Sequence, residues 1–187
     1  MTRSQASAEL AAEGLGWPEG PTVLADGRIV LVESYRSQLT AIDRKGKASR
    51  FAYTAGAPNS CVLGDDGALY VCQNGGTCGP WRAADQTTPS IQRVTEGGKA
   101  EILLTEVGGV ALNGPNDLVF AADGRLLFTD PGTYNPTSPD PSYIYAIEPN
   151  GSVRRAVGFE RPTFPNGLAS AMWAASRNWF SRSFPER

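Results

Sequence analysis

Short stretches in which apolar residues face both ways or alternate with polar ones recur along the chain, each bounded by Gly, Pro or Asp. Arg28-Ile29-Val30-Leu31-Val32-Glu33, Ala68-Leu69-Tyr70-Val71-Cys72 and Arg125-Leu126-Leu127-Phe128-Thr129-Asp130 each follow an Asp-Gly pair. Each pair, Asp26-Gly27, Asp66-Gly67 and Asp123-Gly124, stands eight residues after a proline: 18 to 26, 58 to 66 and 115 to 123. This order predicts a strand, a tight hairpin turn whose residues have positive φ, and a second strand. Ser37–Asp43 before Lys45-Gly46, Ser90–Val94 before Gly97-Gly98, and Ser142–Ile147 before Asn150-Gly151 predict a third strand, a turn and a fourth in the same units. Four antiparallel strands per repeat make a propeller blade, so the fold class is all-β, a β-propeller.

The units open at Pro18, Pro58, Pro115 and Pro165, which are 40, 57 and 50 residues apart. The extra length is expected between strands two and three, at Gln73–Pro80 and Pro131–Pro141, where loop-forming residues cluster. A fourth unit begins with Phe164-Pro165-Asn166-Gly167, but Trp173-Ala174 occupies the place where its Asp-Gly pair should fall. The expected organisation is an N-terminal extension over 1–15, a partial propeller over 16–169 with about three blades and the start of a fourth, and an aberrant tail over 170–187. A frame shift or early stop after about Ala169 would produce such a tail. Three blades cannot close a ring, so the open sheet edges are expected to favour self-association.

A length of 187 residues with 41% hydrophobic content suits one domain with a core. Seventeen Lys and Arg against nineteen Asp and Glu, a net charge of −2, give no basic field for nucleic acid. The stretch before Gly16 has neither the apolar core of a signal peptide nor a membrane span, which implies a cytoplasmic location and no membrane partner. Three cysteines, Cys61, Cys72 and Cys78, are read as buried or idle thiols. The chain contains no histidine, which excludes within it His-ligated zinc, a Ser-His-Asp triad and a histidine base. Any metal must be held by oxygen.

The residue after each unit-opening proline is expected where the chain enters the innermost strand, at the mouth of the central channel. Those residues are Glu19, Asn59, Asn116 and Asn166. One carboxylate and three amides converging on an axis would suit Ca²⁺, Mg²⁺ or Mn²⁺. Any one of them alone is more simply turn chemistry, and only the repetition favours ligation; Asn59 stays between the two readings. Asp26, Asp66 and Asp123 are assigned to turns. Asp130 faces the channel or caps the Pro131-Gly132 turn, Asn74 is equally open, and Trp17 and Tyr134 either line a substrate pocket or pack between blades.

The motifs Trp17-Pro-Glu-Gly-Pro21, Gly114-Pro-Asn-Asp117, Leu127-Phe-Thr-Asp-Pro131 and Phe164-Pro-Asn-Gly-Leu168, in this order, resemble the gluconolactonase, regucalcin and luciferin-regenerating enzyme family over about residues 16–169. The resemblance implies a six-bladed propeller with one divalent metal in its channel, calcium first and magnesium, manganese or zinc as alternatives. It also implies hydrolysis of a small sugar lactone or related ester. Carried over by motif, it makes Glu19 and Asn166 metal ligands and Asn116 a substrate-binding residue that also reaches the metal. The family's later-blade aspartate, a ligand and general base, has no counterpart here, so no catalytic residue is assigned. The leading functional reading is therefore a metal-dependent lactone hydrolase in truncated form. The alternative is a non-catalytic propeller binding module or an inactive fragment.

Overall fold

The computed structural model describes residues 7–133, 135, 137–138, 140–159 and 163–170. The first unit folds as β1 (Pro18–Val23), β2 (Ile29–Glu33), β3 (Gln38–Ile42) and β4 (Ala48–Tyr53). The second is β5 (Pro58–Leu63), β6 (Leu69–Gln73), a small hairpin of β7 (Thr77–Cys78) and β8 (Trp81–Arg82), then β9 (Ser90–Val94) and β10 (Ala100–Leu104). A second hairpin, β11 (Glu106–Val107) and β12 (Val110–Ala111), leads to β13 (Leu118–Phe120), β14 (Leu126–Asp130), β15 (Tyr143–Ile147) and β16 (Val153–Gly158). The three large sheets are antiparallel meanders in the orders β1-β2-β3-β4, β5-β6-β9-β10 and β13-β14-β15-β16. They are three propeller blades, and the chain is all-β.

The turn chemistry is local and repeats. Asp26, Asp66 and Asp123 each accept through Oδ1 the backbone N–H two residues on, at 2.9, 3.1 and 3.3 Å. Only the glycine of each Asp-Gly pair has positive φ. The turn is longer than the Asp-Gly pair itself. Leu24 N–H bonds to Arg28 O and Gly27 N–H to Leu24 O, so a four-residue turn closes on a left-handed glycine. The insertion of the second blade lies between its second and third strands as expected. A further part of the 57-residue spacing goes into the β11–β12 hairpin, whose turn is Gly108-Gly109.

Side chains on the blade faces meet in two clusters. Val30, Val32, Leu39 and Phe51 of the first blade pack on Leu69, Val71 and Val94 of the second. Cys72 and Ile91 pack on Leu118, Leu126, Phe128 and Tyr145 of the third. The faces of β6 thus serve both neighbours, Val71 one way and Cys72 the other, as the two-residue strand period requires. The three thiols are free, with Cys61 and Cys72 buried. No helix among the described residues is long and apolar enough to cross a membrane. The described part of the fourth unit, 163–170, contains no strand; Trp173-Ala174 and the rest of the tail lie outside the described residues.

Candidate functional site

The inner strands of the first two blades are irregular where the candidate residues stand. In β1 the pairing with β2 slips between Glu19 and Thr22, and in β5 the register jumps from Pro58 to Ser60, leaving Asn59 unpaired. A bulge re-aims the side chain it carries. In the third blade Asn116 precedes β13 instead of lying within it, but Asn116 N–H still bonds to Thr129 O at 3.0 Å, continuing the ladder. The segment 163–170 is tied alongside by Thr129 Oγ1, which donates to Asn166 O at 3.0 Å.

What fixes the approach to each inner strand is a buried polar side chain at the end of the second strand. Glu33 accepts the Gly16 N–H at 2.5 Å, Gln73 the Ala57 N–H at 2.7 Å, and Asp130 the N–H groups of Asn113 and Gly114 at 3.1 and 2.8 Å. All three are essentially solvent-free. Asp130 therefore does more than cap the turn that follows it. Burial raises its pKa above the ordinary aspartate value, against the lowering effect of the bonds from Asn113, Gly114 and Gly132.

These strand ends meet around an open cleft of about 370 Å³. Glu19, Asn59, Asn116 and Asn166, one from each unit, all line it, together with Ser60 and Asp117. The inner strands of the first two blades come close because Gly20 has no side chain: a Cβ there would lie 2.5 Å from Ser60 Cα, and its φ is +50°. Gly20→Ala is expected to lower stability by about 2–3 kcal/mol, from overpacking and a left-handed alanine together. Denaturant unfolding measures this, and an unchanged midpoint would contradict the close approach.

Asp117 was missed in the sequence. It accepts Ser60 Oγ at 2.7 Å through Oδ1 and Leu168 N–H at 2.6 Å through Oδ2, so it ties three units to one carboxylate. Its charge is also felt by Glu19. Burial first, and then the Asp117 charge, raise the Glu19 pKa above the ordinary glutamate value. The only available signal was its place directly after Asn116, in a position that holds Gly20, Ser60 and Gly167 in the other units.

The family model described as SMP-30/Gluconolactonase/LRE-like region matches residues 17–175. The chain belongs to this family. It is 26% identical over 184 residues to a gluconolactonase of Zymomonas mobilis, covering 86% of this chain and 48% of that one. A gluconolactonase from Xanthomonas campestris superposes with a TM-score of 0.67 at 25% identity, over 82% of this chain and 50% of that one. The calcium-binding protein regucalcin from Agrobacterium tumefaciens shares the fold, with a TM-score of 0.56 at 14% identity over 77% and 44%. The chain thus spans about half the length of the gluconolactonases it matches.

Within this member of the gluconolactonase family, the remaining candidates divide by local chemistry. Asn74 Oδ1 accepts the N–H groups of Gly76 and Thr77 at 3.1 and 3.2 Å, and so closes a turn. Trp17 packs on Tyr35 and remains half exposed. Tyr134 lies outside the described residues. Burial pushes the Cys61 thiol up to about 12, so its sulfur, which donates to Gly20 O at 3.2 Å from within the core, stays protonated.

Proposed function

We propose that the cleft is the cation and substrate site of a metal-dependent hydrolase of sugar lactones or related esters. Glu19, Asn116 and Asn166 are its oxygen ligands, and Asn116 also holds the substrate. The observation that carries this is the meeting of one acidic and three amide side chains from four sequence units in one cleft. Family membership and the likeness to the Zymomonas and Xanthomonas gluconolactonases support the substrate class.

The donor set fits a hard cation. Among the described residues no group of three or more His, Cys, Asp or Glu could hold a metal, so amide oxygens must contribute. Carboxylate and amide oxygens with a protonated thiol nearby suit calcium better than zinc. Burial first and the Asp117 charge second raise the Glu19 pKa, and the second of these, one carboxylate beside another, is what a bound cation would offset. With so few carboxylates, a calcium Kd on the order of 10⁻⁴ to 10⁻³ M is expected.

A divalent cation supplies Lewis acidity to a bound carbonyl oxygen. Asn116 can present its carbonyl oxygen to a cation and its NH₂ to a substrate oxygen, since an amide carries both functions. Asp117 already accepts a hydrogen bond on each oxygen, so it positions the 166–168 segment and is a poor candidate for taking a proton from water. That state of Asp117 favours a second reading, ligand binding without turnover.

Calorimetric titration with calcium, paired with an assay on glucono-δ-lactone before and after chelation, tests both. A saturable calcium site lost in Glu19→Ala, with hydrolysis lost on chelation, is the expected result. Binding without hydrolysis supports the second reading. Hydrolysis that survives both chelation and Glu19→Ala defeats the metal-dependent one.

A further inference from the structure

Three aromatic rings from three separate segments form a ladder. Trp17 precedes β1, Tyr35 lies in the one-turn 3₁₀ segment Ser34–Arg36 that follows β2, and Trp81 stands in β8 of the inserted hairpin. The Trp17 and Tyr35 centroids are 5.3 Å apart and those of Tyr35 and Trp81 5.0 Å, with tilts of 38° and 37°. The arrangement is built into the blade junction. Ser34 N–H bonds to Trp17 O and Tyr35 N–H to Gly16 O, while Ser34 Oγ donates to Pro58 O, the residue before Asn59.

None of the three rings lines the cleft itself, and the ladder connects to it through Glu19. Trp17 is two residues from Glu19, and Trp81 pairs across the small hairpin with Cys78. Directly paired residues share a face. Cys78 is close enough to Glu19 for that charge, second to burial, to raise its pKa.

Two features separate this ladder from ordinary interblade packing. Trp17 and Tyr35 keep 49% and 40% of their surface exposed, although large aromatic side chains are usually well buried. Trp17 also holds φ at +61°, a left-handed conformation unfavourable for a bulky side chain and found most often where a site requires it. A pyranose-type ring has an apolar C–H face and a polar rim. An aromatic face suits the first, and the carboxylate and amides of the cleft that Glu19 enters suit the second.

We propose that Trp17, Tyr35 and Trp81 form a binding platform for the C–H face of a six-membered sugar lactone, so that the site selects ring substrates over acyclic esters. This rests on the lactone reading above. The test uses the full chain carrying Tyr35→Ala, Trp81→Ala or Tyr35→Phe, each confirmed as folded by circular dichroism. With glucono-δ-lactone, KM is expected to rise about tenfold in the two alanine variants, the effect of one lost stacking contact, with kcat within about twofold. Tyr35→Phe should behave as wild type, and kcat/KM for methyl acetate should not change in any variant. Unchanged KM for the lactone, or an equal loss on both substrates, overturns the platform.

A second measurement is independent of turnover. In saturation-transfer NMR, 1,5-anhydroglucitol, a pyranose ring without a carbonyl, should receive saturation at its ring C–H protons from the wild-type chain and not from Tyr35→Ala. That pattern in a chain that hydrolyses no lactone supports the platform while the lactonase reading fails. No saturation in the wild-type chain overturns the platform and leaves the lactonase reading standing.

Discussion

Glu33→Ala is expected to lower the midpoint of thermal unfolding by on the order of 10 °C. The Glu33 side chain is 1% exposed and its two oxygens accept four donors: Gly16 N–H and Thr40 Oγ1 at 2.5 Å, Arg36 Nη1 at 2.8 Å and Gln38 Nε2 at 3.1 Å. Alanine would leave these donors facing a void. The Arg36 side chain is half exposed and can return to water, so the cost comes from the other donors left unpaired, about 1–3 kcal/mol for each that is buried, and each kcal/mol is worth about 2–4 °C in a domain of this size. The pH dependence gives a sharper check. Burial opposes ionisation of Glu33, but the bonds from Thr40, Gly16 and Gln38 and the Arg36 charge together outweigh it and hold the pKa below the ordinary glutamate value. A folded-state pKa below the unfolded one means stabilisation that is present above the unfolded pKa and is lost as pH falls through the folded pKa. The wild-type midpoint should therefore fall more steeply on acidification than that of Glu33→Ala. Parallel curves for the two proteins would show that the carboxylate network does not carry this stability.

The blade framework was legible because the interactions that make it are local. An aspartate that bonds the N–H two residues on, followed by a left-handed glycine, leaves its mark within three positions, and so does a strand with a two-residue period. The same local reading put Glu19, Asn59, Asn116 and Asn166 at equivalent places, and one cleft contains all four. The buried clamps were not legible. Glu33, Gln73 and Asp130 occupy the same position in successive blades, yet they are three different residue types. Each acts on backbone 16 or 17 residues away. Backbone N–H groups are common to every residue, so the partner carries no sequence signature. Asp117 escaped for a similar reason, since its partners lie 57 and 51 residues distant. The Gly108-Gly109 hairpin was passed over because its strands of two residues are too short to show a period.

If the cleft is the calcium site proposed above, Asp117→Ala is expected to weaken binding by about 100-fold, the upper end of what residues supporting metal ligands contribute. Two effects combine. The carboxylate contributes charge to a cleft whose other acid, Glu19, already has a raised pKa, and it holds Leu168 N–H and Ser60 Oγ, thereby placing the segment that presents Asn166. Asp117→Asn separates them. An amide oxygen can still accept from Leu168 N–H, and a hydroxyl can accept from the amide NH₂ as well as donate, so the segment should stay in place while the charge is lost. That variant is expected to bind calcium about tenfold more weakly than wild type. Its deficit should shrink at high salt, because the lost contribution is electrostatic and an open cleft is screened. The remaining tenfold in Asp117→Ala should persist at any ionic strength, because it comes from a displaced Asn166. Calorimetry at low and high salt measures both variants. Equal affinities for alanine, asparagine and wild type would mean that calcium, if it binds, does so away from this cleft. Equal deficits for the two variants would assign the whole effect to charge and none to the tie between the third blade and the 163–170 segment.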